Sequence, residues 1–220
     1  TSFVTQPANL RVPENPCYHR RMKFAAKSFD AMMYPLEVAG LAAIRRELAS
    51  RAEGNLLEIG PGSGANLHPL ACYADLDGYT GIDPGPPPEL YERVRIMEGG
   101  RTSAIHVVES PAEHMPFADD SFDTVLVTLV LCSVRSQAQA LSEIARVLKP
   151  DGRMLFMEHV VHPRPGVAGL MHILDHPYHA ISRECHLDRD TVRAMKQAGF
   201  TFRDLHRRGK GVLVWGEATL

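Results

Sequence analysis

The sequence predicts an α/β protein built around one mostly parallel sheet with an antiparallel edge. Three observations lead to this fold class. Strand and helix patterns alternate from Asn55 onward. Most of the expected strands are nearly continuous apolar runs, which is typical of parallel strands buried on both faces. The last stretch, residues 201–219, reads as two strands around the turn Gly209-Lys210-Gly211.

The alternation gives the elements in order. Strands are predicted at 55–59, 78–82, 104–108, 122–130 and 153–158. Helices are predicted at 64–74, 87–98, 136–148 and 188–198. The second of these helices begins at a run of three prolines, and the third ends at the turn residues Lys149-Pro150-Asp151-Gly152. With the terminal hairpin the sheet has seven strands, and helices cover both of its faces.

The N-terminal part has a different pattern. Residues 1–16 contain several prolines and little periodicity, and residues 18–52 read as helix with an interruption near Tyr34-Pro35. We therefore expect an arm and helical cap over residues 1–52 and one main domain over residues 53–220.

Composition excludes several classes of function. The 220 residues carry a net charge of −2, which gives no general attraction to nucleic acid or to anionic membranes. No apolar run approaches the roughly 18 residues that cross a bilayer, and the first residues do not resemble a signal peptide. The four cysteines form no Cys-x-x-Cys pair, which favours free thiols in a reducing cytoplasm. We expect a cytoplasmic protein with no nucleic-acid or membrane partner; the sequence leaves its oligomeric state open.

The turn after the first strand is the strongest local motif. Gly60-Pro61-Gly62-Ser63-Gly64-Ala65 fits both Gly-x-Gly-x-Gly and the dinucleotide fingerprint Gly-x-Gly-x-x-Gly/Ala. In open α/β sheets, ligands bind beyond the carboxyl ends of the strands, where this turn lies. A tight turn without a ligand is the alternative.

Two acidic residues favour a nucleoside ligand and indicate which one. Asp83 ends the second strand, 19 residues after Gly64, where a carboxylate meets ribose hydroxyls in nucleotide-binding folds. Glu58 lies two residues before Gly60, where its charge would repel a pyrophosphate. The same charge suits S-adenosylmethionine, which carries an ammonium and a sulfonium and no phosphate. We therefore favour the sulfonium cofactor over NAD.

Two further stretches resemble the class I methyltransferases, a Rossmann-like family that uses S-adenosylmethionine. "SPAEHMPFADDSFDTV" (110–125) is similar to the segment that joins their third and fourth strands. "LSEIARVLKPDGRMLF" (141–156) is similar to their helix, turn and fifth strand. With the glycine turn and Gly81-Ile82-Asp83, the resemblance extends over about 55–158. Pro61 departs from the family pattern and removes one backbone donor.

The resemblance implies a set of cofactor-binding residues. The glycine turn would face the methionine end, Asp83 the ribose, Pro84 and the pair Ala112-Glu113 the adenine, and Thr128-Leu129 the reactive methyl. The predicted cofactor-binding set is Glu58, Gly60, Gly62, Gly64, Asp83, Pro84, Ala112, Glu113, Thr128 and Leu129.

A narrower resemblance concerns the acceptor. "TLVLCSV" (128–134), "FMEHV" (156–160), "LDHPYH" (174–179) and "ECHLDRDTV" (184–192) resemble stretches of the animal alkyl-thiol S-methyltransferases. This likeness implies S-methylation of a small-molecule thiol, with acceptor-pocket helices at about 162–186. O- or C-methylation of a small metabolite is the alternative. A cofactor-binding module without turnover and an NAD-dependent oxidoreductase are weaker alternatives.

Histidines supply the candidate catalytic group. His159 ends the fifth strand, at the edge where an acceptor would enter, so it is the predicted base or positioning residue. A hydrogen-bonded histidine at a strand end is the alternative. His172, His176 and His179 lie at helical spacing near Asp175 and Cys185, which raises the alternative of a zinc site. Pro177 makes a continuous helix doubtful there, and we predict no metal.

Overall fold

The computed structural model describes residues 31, 33–98, 104–182 and 185–220. The predicted arm and the first part of the predicted cap lie outside these ranges, so the boundary between a cap and a main domain stays a prediction.

A seven-stranded sheet forms the centre of the described chain, in the spatial order β3-β2-β1-β4-β5-β7-β6. Its strands are β1 Glu53–Ile59, β2 Asp75–Asp83, β3 Ala104–Glu109, β4 Phe122–Thr128, β5 Leu148–His159, β6 Thr201–Arg208 and β7 Leu213–Thr219. The pairs among β1 to β5 are parallel, and β7 runs antiparallel to both β5 and β6. The predicted fold class is confirmed: the antiparallel strand is β7, which lies between β5 and the edge strand β6.

Six α-helices accompany the sheet in the described ranges. They are α1 Ala42–Ala49, α2 Leu67–Tyr73, α3 Pro88–Glu98, α4 Gln137–Val147, α5 Pro165–Ser182 and α6 Thr191–Gln197. None of these described helices is long and apolar enough to cross a membrane. The helix α5 covers most of the 162–186 region for which the sequence predicts acceptor-side helices.

Alternate residues of the central strands form two separate cores, one on each face of the sheet. Leu57 and Val125 pack in the core that includes α4 and α6. Leu56 and Leu126 pack in the core that includes α1, α2 and α3. Successive strand side chains point to opposite faces, so a strand covered by helices on both sides must be apolar at nearly every position. This explains the continuous apolar runs in the sequence.

Several boundaries differ from the sequence predictions, and three of them have a clear structural basis. The fourth strand ends at Thr128 rather than at residue 130, because Leu129 adopts a left-handed φ of 58°. The fifth strand begins at Leu148, since Phe122 pairs with Leu148 and Thr124 with Arg153, and the expected turn at 149–152 interrupts this pairing. The break in the N-terminal helix lies at Gly40, with a φ of 138°, and not at Tyr34-Pro35, where the described residues 33–36 are helical.

The helix α4 holds the segment between β3 and β4 in place. Arg146 donates to the carbonyl oxygens of Phe117 at 2.7 Å and Met115 at 3.1 Å. Glu143 accepts the Met115 N–H at 2.8 Å and forms an ion pair with Arg146 at 2.7 Å. The hydrogen bonds from Arg146 lower the pKa of Glu143 to about 2. This pair fixes the segment that carries Ala112 and Glu113.

This arrangement predicts a pH dependence of stability. The depressed pKa of Glu143 stabilises the fold above the carboxyl's ordinary pKa of 4.5, and this stabilisation is lost as the pH falls toward 2. At neutral pH the free energy of unfolding of the E143Q variant should be roughly 1 kcal/mol lower than that of the unmodified chain. On acidification, the free energy of unfolding should fall less for E143Q than for the unmodified chain. Urea unfolding between pH 7 and pH 3 measures both. E92Q, at an exposed position of α3, is the control; parallel acid profiles for E143Q and the unmodified chain would contradict this role.

Candidate cofactor and acceptor site

The carboxyl ends of β1, β2, β4 and β5 meet at one edge of the sheet. Ile59 pairs with Ile82 on one side and with Val127 on the other, and Thr128 pairs with Met157. The parallel register therefore brings the glycine turn, Asp83, the chain after Thr128 and the end of β5 to one edge, as the sequence predicts.

The glycine turn adopts backbone angles that favour glycine. Gly60, Gly62 and Gly64 have φ values of 60°, 53° and 89°. A Cβ at Gly60 would lie 2.6 Å from the Val130 side chain, whereas a Cβ at Gly62 would meet only a backbone oxygen at 4.0 Å. The turn thus packs tightly at Gly60 and leaves open space at Gly62, on the side where a ligand could approach the backbone.

Asp83 is oriented by two backbone donors at this edge. Its Oδ1 accepts the Gly85 N–H at 2.9 Å and its Oδ2 accepts the Gly62 N–H at 3.3 Å. Burial raises the pKa of Asp83, and these two hydrogen bonds oppose that rise. Each carboxylate oxygen keeps a further lone pair, so the fixed carboxyl can still accept hydrogen bonds from a pair of ligand hydroxyls.

Glu58 lies inside the protein rather than on an open face of the turn. It has no exposed surface, and its two oxygens accept from Asn66 Nδ2 at 2.7 Å and from the Tyr79 hydroxyl at 2.6 Å. Burial raises the pKa of Glu58, while these two donors and the charge of Arg45 oppose the rise. The sequence argument places a bare charge beside the ligand, but the structure surrounds that charge with donors beneath the turn.

Asn66 extends this network to β4 and α1. Its Nδ2 also donates to Thr128 Oγ1 at 2.8 Å, and its Oδ1 accepts from the Arg45 guanidinium at 2.8 Å. Arg45 also donates to Thr128 at 3.2 Å and forms an ion pair with Glu37 at 3.0 Å. Sequence analysis assigns a role to Glu58 and Thr128 but misses Arg45, Asn66 and Tyr79. An acidic residue within the otherwise apolar run at 56–59 is a sequence signal that could have indicated such donors.

The predicted adenine-side residues lie on two neighbouring loops. Pro84 is exposed directly after Asp83, and Ala112 is buried. Glu113 accepts the backbone N–H of Ser136 at 3.1 Å, and Ser136 is the N-terminal cap of α4. The Glu113 carboxylate therefore ties the 110–121 segment to α4, in addition to any contact with a ligand.

The chain after β4 is fastened by a second buried acid. Glu158, which has no exposed surface, accepts the N–H groups of Val130 at 2.9 Å and Leu131 at 3.1 Å with Oε1. Among the described residues its Oε2 is buried without a partner. Burial raises the pKa of Glu158 well above its ordinary value. The positive φ of Leu129 turns the chain over this carboxyl, a role that sequence analysis does not assign to Glu158.

His159 is a half-buried histidine at the end of β5. In the described part of the chain its Nδ1 is buried and has no hydrogen-bond partner. Burial lowers the pKa of His159 below 6.5, so the ring is neutral at neutral pH. The choice between a base and a hydrogen-bonded histidine at a strand end stays open, because only Nδ1 is shown to lack a partner among the described residues.

Two other histidines of this region join α5 to the segment that follows it. His172 pairs with Asp188 at 2.7 Å, and His186 pairs with Asp175 at 3.0 Å. The side chains of His176 and His179 lie outside the described residues. Ligand atoms of Asp175, His186 and Asp188 lie within 4.8 Å of one another, close enough for a metal ion. The two His–Asp pairs account for this arrangement without one, and the absence of a metal stays a prediction.

Comparison with known proteins identifies the class. Residues 57–156 match the family model described as a methyltransferase domain. The human thiol S-methyltransferase TMT1A is 35% identical over 173 residues, which are 73% of this chain and 69% of the human protein. The chain therefore belongs to the class I S-adenosylmethionine-dependent methyltransferases, and this family and fold imply S-adenosylmethionine as its cofactor.

Within that class, the chain is similar to thiol S-methyltransferases. The rat TMT1B enzyme is 37% identical over 153 residues, which are 68% of this chain and 61% of the rat protein, somewhat less than two thirds. A ubiquinone/menaquinone biosynthesis C-methyltransferase of Vibrio parahaemolyticus is 33% identical over 126 residues, 49% of each chain.

Solved structures show the same fold at low sequence identity. A methyltransferase dependent on S-adenosylmethionine from Mesorhizobium loti superposes with a TM-score of 0.60 at 14% identity, over 80% of this chain and 95% of that one. The [4+2]-cyclase SpnF superposes with a TM-score of 0.59 at 20% identity, over 76% of this chain and 60% of that one. Because a cyclase shares the fold, the fold alone does not specify the reaction.

The buried network predicts the effect of removing one hydroxyl. Y79F leaves one oxygen of the buried Glu58 without its donor, which should lower the free energy of unfolding by about 1–3 kcal/mol. It should also weaken binding of S-adenosylhomocysteine, since Asn66 and the turn lose a fixed anchor. Urea unfolding and calorimetry measure the two effects. Y91F, at a position that is 37% exposed, should change stability by less than about 0.5 kcal/mol; equal effects of the two variants would contradict the network.

Proposed function

We propose that this chain transfers the methyl group of S-adenosylmethionine to the sulfur of a small-molecule thiol. The observation that carries the thiol acceptor is the 35–37% identity to two thiol S-methyltransferases over 68% or more of this chain. The apolar run Leu129-Val130-Leu131 after β4 supports it, since this run offers no charged or hydroxyl side chain to a polar acceptor.

The described residues fit the cofactor at the carboxyl edge of the sheet. The open face at Gly62 admits a ligand close to the backbone, and the fixed carboxyl of Asp83 suits a pair of ribose hydroxyls. Neither feature requires a phosphate. We assign direct contacts to the turn glycines Gly60, Gly62 and Gly64 and to Asp83. Pro84, Ala112, Glu113, Thr128 and Leu129 complete the proposed cofactor-binding set.

Glu58 belongs to this set in a different way. Its carboxyl orients Asn66, and through it Thr128, so we propose that it acts on the cofactor site from beneath the turn. The preference for a positively charged cofactor, which the sequence attributes to Glu58 alone, is then a property of Glu58 together with its hydrogen-bond partners. Arg45 partly compensates the acid, and Asn66 and Tyr79 stabilise the carboxylate.

When bound, S-adenosylmethionine supplies an electrophilic methyl group on a positively charged sulfur. The protein's role is to hold an acceptor thiol in line with that methyl group and to exclude water from around it. The acceptor sulfur would use its electron pair to bond that methyl carbon, and S-adenosylhomocysteine would leave with the electrons of the broken bond. We assign removal of the thiol proton to Nε2 of His159, because Nδ1 is buried.

A second candidate is C-methylation of a small metabolite. The relative from Vibrio parahaemolyticus favours it, although that similarity covers only 49% of this chain. Carbon acceptors need a stronger base than thiols do, since a thiol already ionises near pH 8.5. The acceptor assay therefore decides between the two.

Paired acceptors test the sulfur assignment. We expect release of S-adenosylhomocysteine with small alkyl thiols and at least 100-fold slower release with the alcohols of the same skeleton. Chromatography of cofactor products, with the methyl thioether identified by mass spectrometry, measures this. Turnover of phenols or of activated carbon acids with inert thiols would exclude the thiol proposal while keeping the methyltransferase class.

The pH profile tests His159. In the unmodified chain, kcat should stay level between the thiol pKa of about 8.5 and the lowered pKa of His159, and then fall at lower pH as the ring protonates. H159N should lower kcat at pH 7 by roughly 100-fold, with the KM for the cofactor unchanged. Its rate should rise about tenfold per pH unit, following the thiolate fraction.

The control for this variant is H106N, at an exposed position on β3. It should leave the profile unchanged. Superimposable profiles for H159N and the unmodified chain would show that the thiol ionises without His159.

A further inference from the structure

Two segments of the acceptor side are held against each other. One is the chain after β4, residues 129–134, and the other follows α5, residues 185–191. His186 donates its backbone N–H to the Cys132 carbonyl at 2.9 Å, and Arg189 donates to the Leu131 carbonyl at 2.7 Å. The side-chain amide of Gln137 donates to the same Leu131 carbonyl and to the Thr191 hydroxyl, and both distances are 3.0 Å. These contacts fix the relative position of the segments.

Each segment carries one cysteine at the point of contact. Cys132 is 3% exposed and Cys185 is half-buried, and the two thiols are close enough for each to shift the pKa of the other. Because the backbone of the next residue, His186, bonds directly to Cys132, the two α-carbons are close neighbours across one backbone hydrogen bond. This is the kind of separation that a disulfide spans, roughly 4.4–6.8 Å between α-carbons.

The two thiols differ in their surroundings. The hydrogen bond from Cys132 lowers the pKa of Cys185, and Arg189 adds to this effect, while burial and the nearby Glu158 and Asp175 oppose it. The same hydrogen bond, together with burial, raises the pKa of Cys132. Cys185 is therefore the more accessible and more readily ionised thiol, and Cys132 is the protected one. This is the division of roles between attacking and resolving thiols in disulfide exchange.

We propose that Cys132 and Cys185 form a reactive dithiol whose substrates are low-molecular-weight disulfides, in a reaction separate from methyl transfer. The Cys185 thiolate attacks one sulfur of the disulfide, whose S–S bond breaks and releases the first thiol. Cys132 then loses its proton and attacks the Cys185 sulfur, which releases the second thiol. Two electrons pass from the protein to the disulfide, and the two cysteine protons end on the two released thiols.

The product is an intramolecular disulfide between the chain after β4 and the chain after α5. It would join covalently the two segments that already contact each other at the Cys132 carbonyl. The reaction requires neither S-adenosylmethionine nor a methyl acceptor, so it stands independently of the proposed function.

The test uses the full chain without cofactor and with oxidised glutathione as the probe. After an acid quench, the intact mass and the alkylated peptides are measured over time. We expect a mass loss of two hydrogens and one linked peptide pair containing Cys132 and Cys185. C72S removes an exposed cysteine of α2 and should behave in the same way at this pair.

Two matched variants separate the steps. C132S keeps a hydrogen-bond donor beside Cys185 but has no thiol to attack the mixed disulfide. The reaction should therefore stop at one glutathione adduct on Cys185, and this adduct should form at an unchanged rate. C132A lacks the donor and should form the same adduct at least several-fold more slowly. C185S should leave Cys132 unmodified.

Other outcomes would overturn the proposal. Modification of Cys72 with Cys132 and Cys185 unreacted would show that the pair is inert packing. A linked peptide between Cys185 and Cys17 would assign the reactivity to a different pair. Because methyl transfer is not measured, a failure of the thiol-acceptor proposal leaves this result intact.

Discussion

The buried carboxyl of Glu58 is the constraint on which the cofactor side depends. A carboxylate with no exposed surface is costly unless donors surround it. Tyr79 on the neighbouring strand and Asn66 at the start of α2 supply those donors. Asn66 in turn fixes Thr128 on the other neighbouring strand and engages Arg45 of α1. One buried acid therefore connects three strands and two helices directly beneath the glycine turn. The position of that turn is then fixed by hydrogen bonds within the core.

Glu158 has the corresponding position on the acceptor side. Its Oε1 accepts the N–H groups of Val130 and Leu131, so the chain that leaves β4 cannot move without exposing a buried acid. Val130 also contacts the turn, since a Cβ on Gly60 would collide with it. The two anchored segments thus contact each other across the edge of the sheet. Methyl transfer benefits from such fixed walls, because the reaction depends on holding two partners in line.

Local sequence signals predicted the sheet, the glycine turn and Asp83, because strands, turns and strand ends are encoded by neighbouring residues. The Arg45–Asn66–Thr128 contacts depend on the register between segments that are distant in sequence, so no local pattern reveals them. Glu58 shows the same limit. Its charge favoured the family that the comparisons confirm, but the structure buries that charge.

Two titratable groups at the end of β5 determine the charge on the acceptor side. Burial lowers the pKa of His159 and raises that of Glu158, so both groups are driven toward their neutral forms at neutral pH. An incoming thiolate would then bring the main negative charge to a region lined by apolar residues after β4. Apolar surroundings solvate separated charges poorly, and the two charges would neutralise during transfer, so such surroundings disfavour the reactants more than the transition state. A thiol needs little help to ionise, so a weak neutral base is sufficient, whereas a carbon acid would require a stronger one. The balance of charge at this edge therefore supports the proposal of a sulfur acceptor.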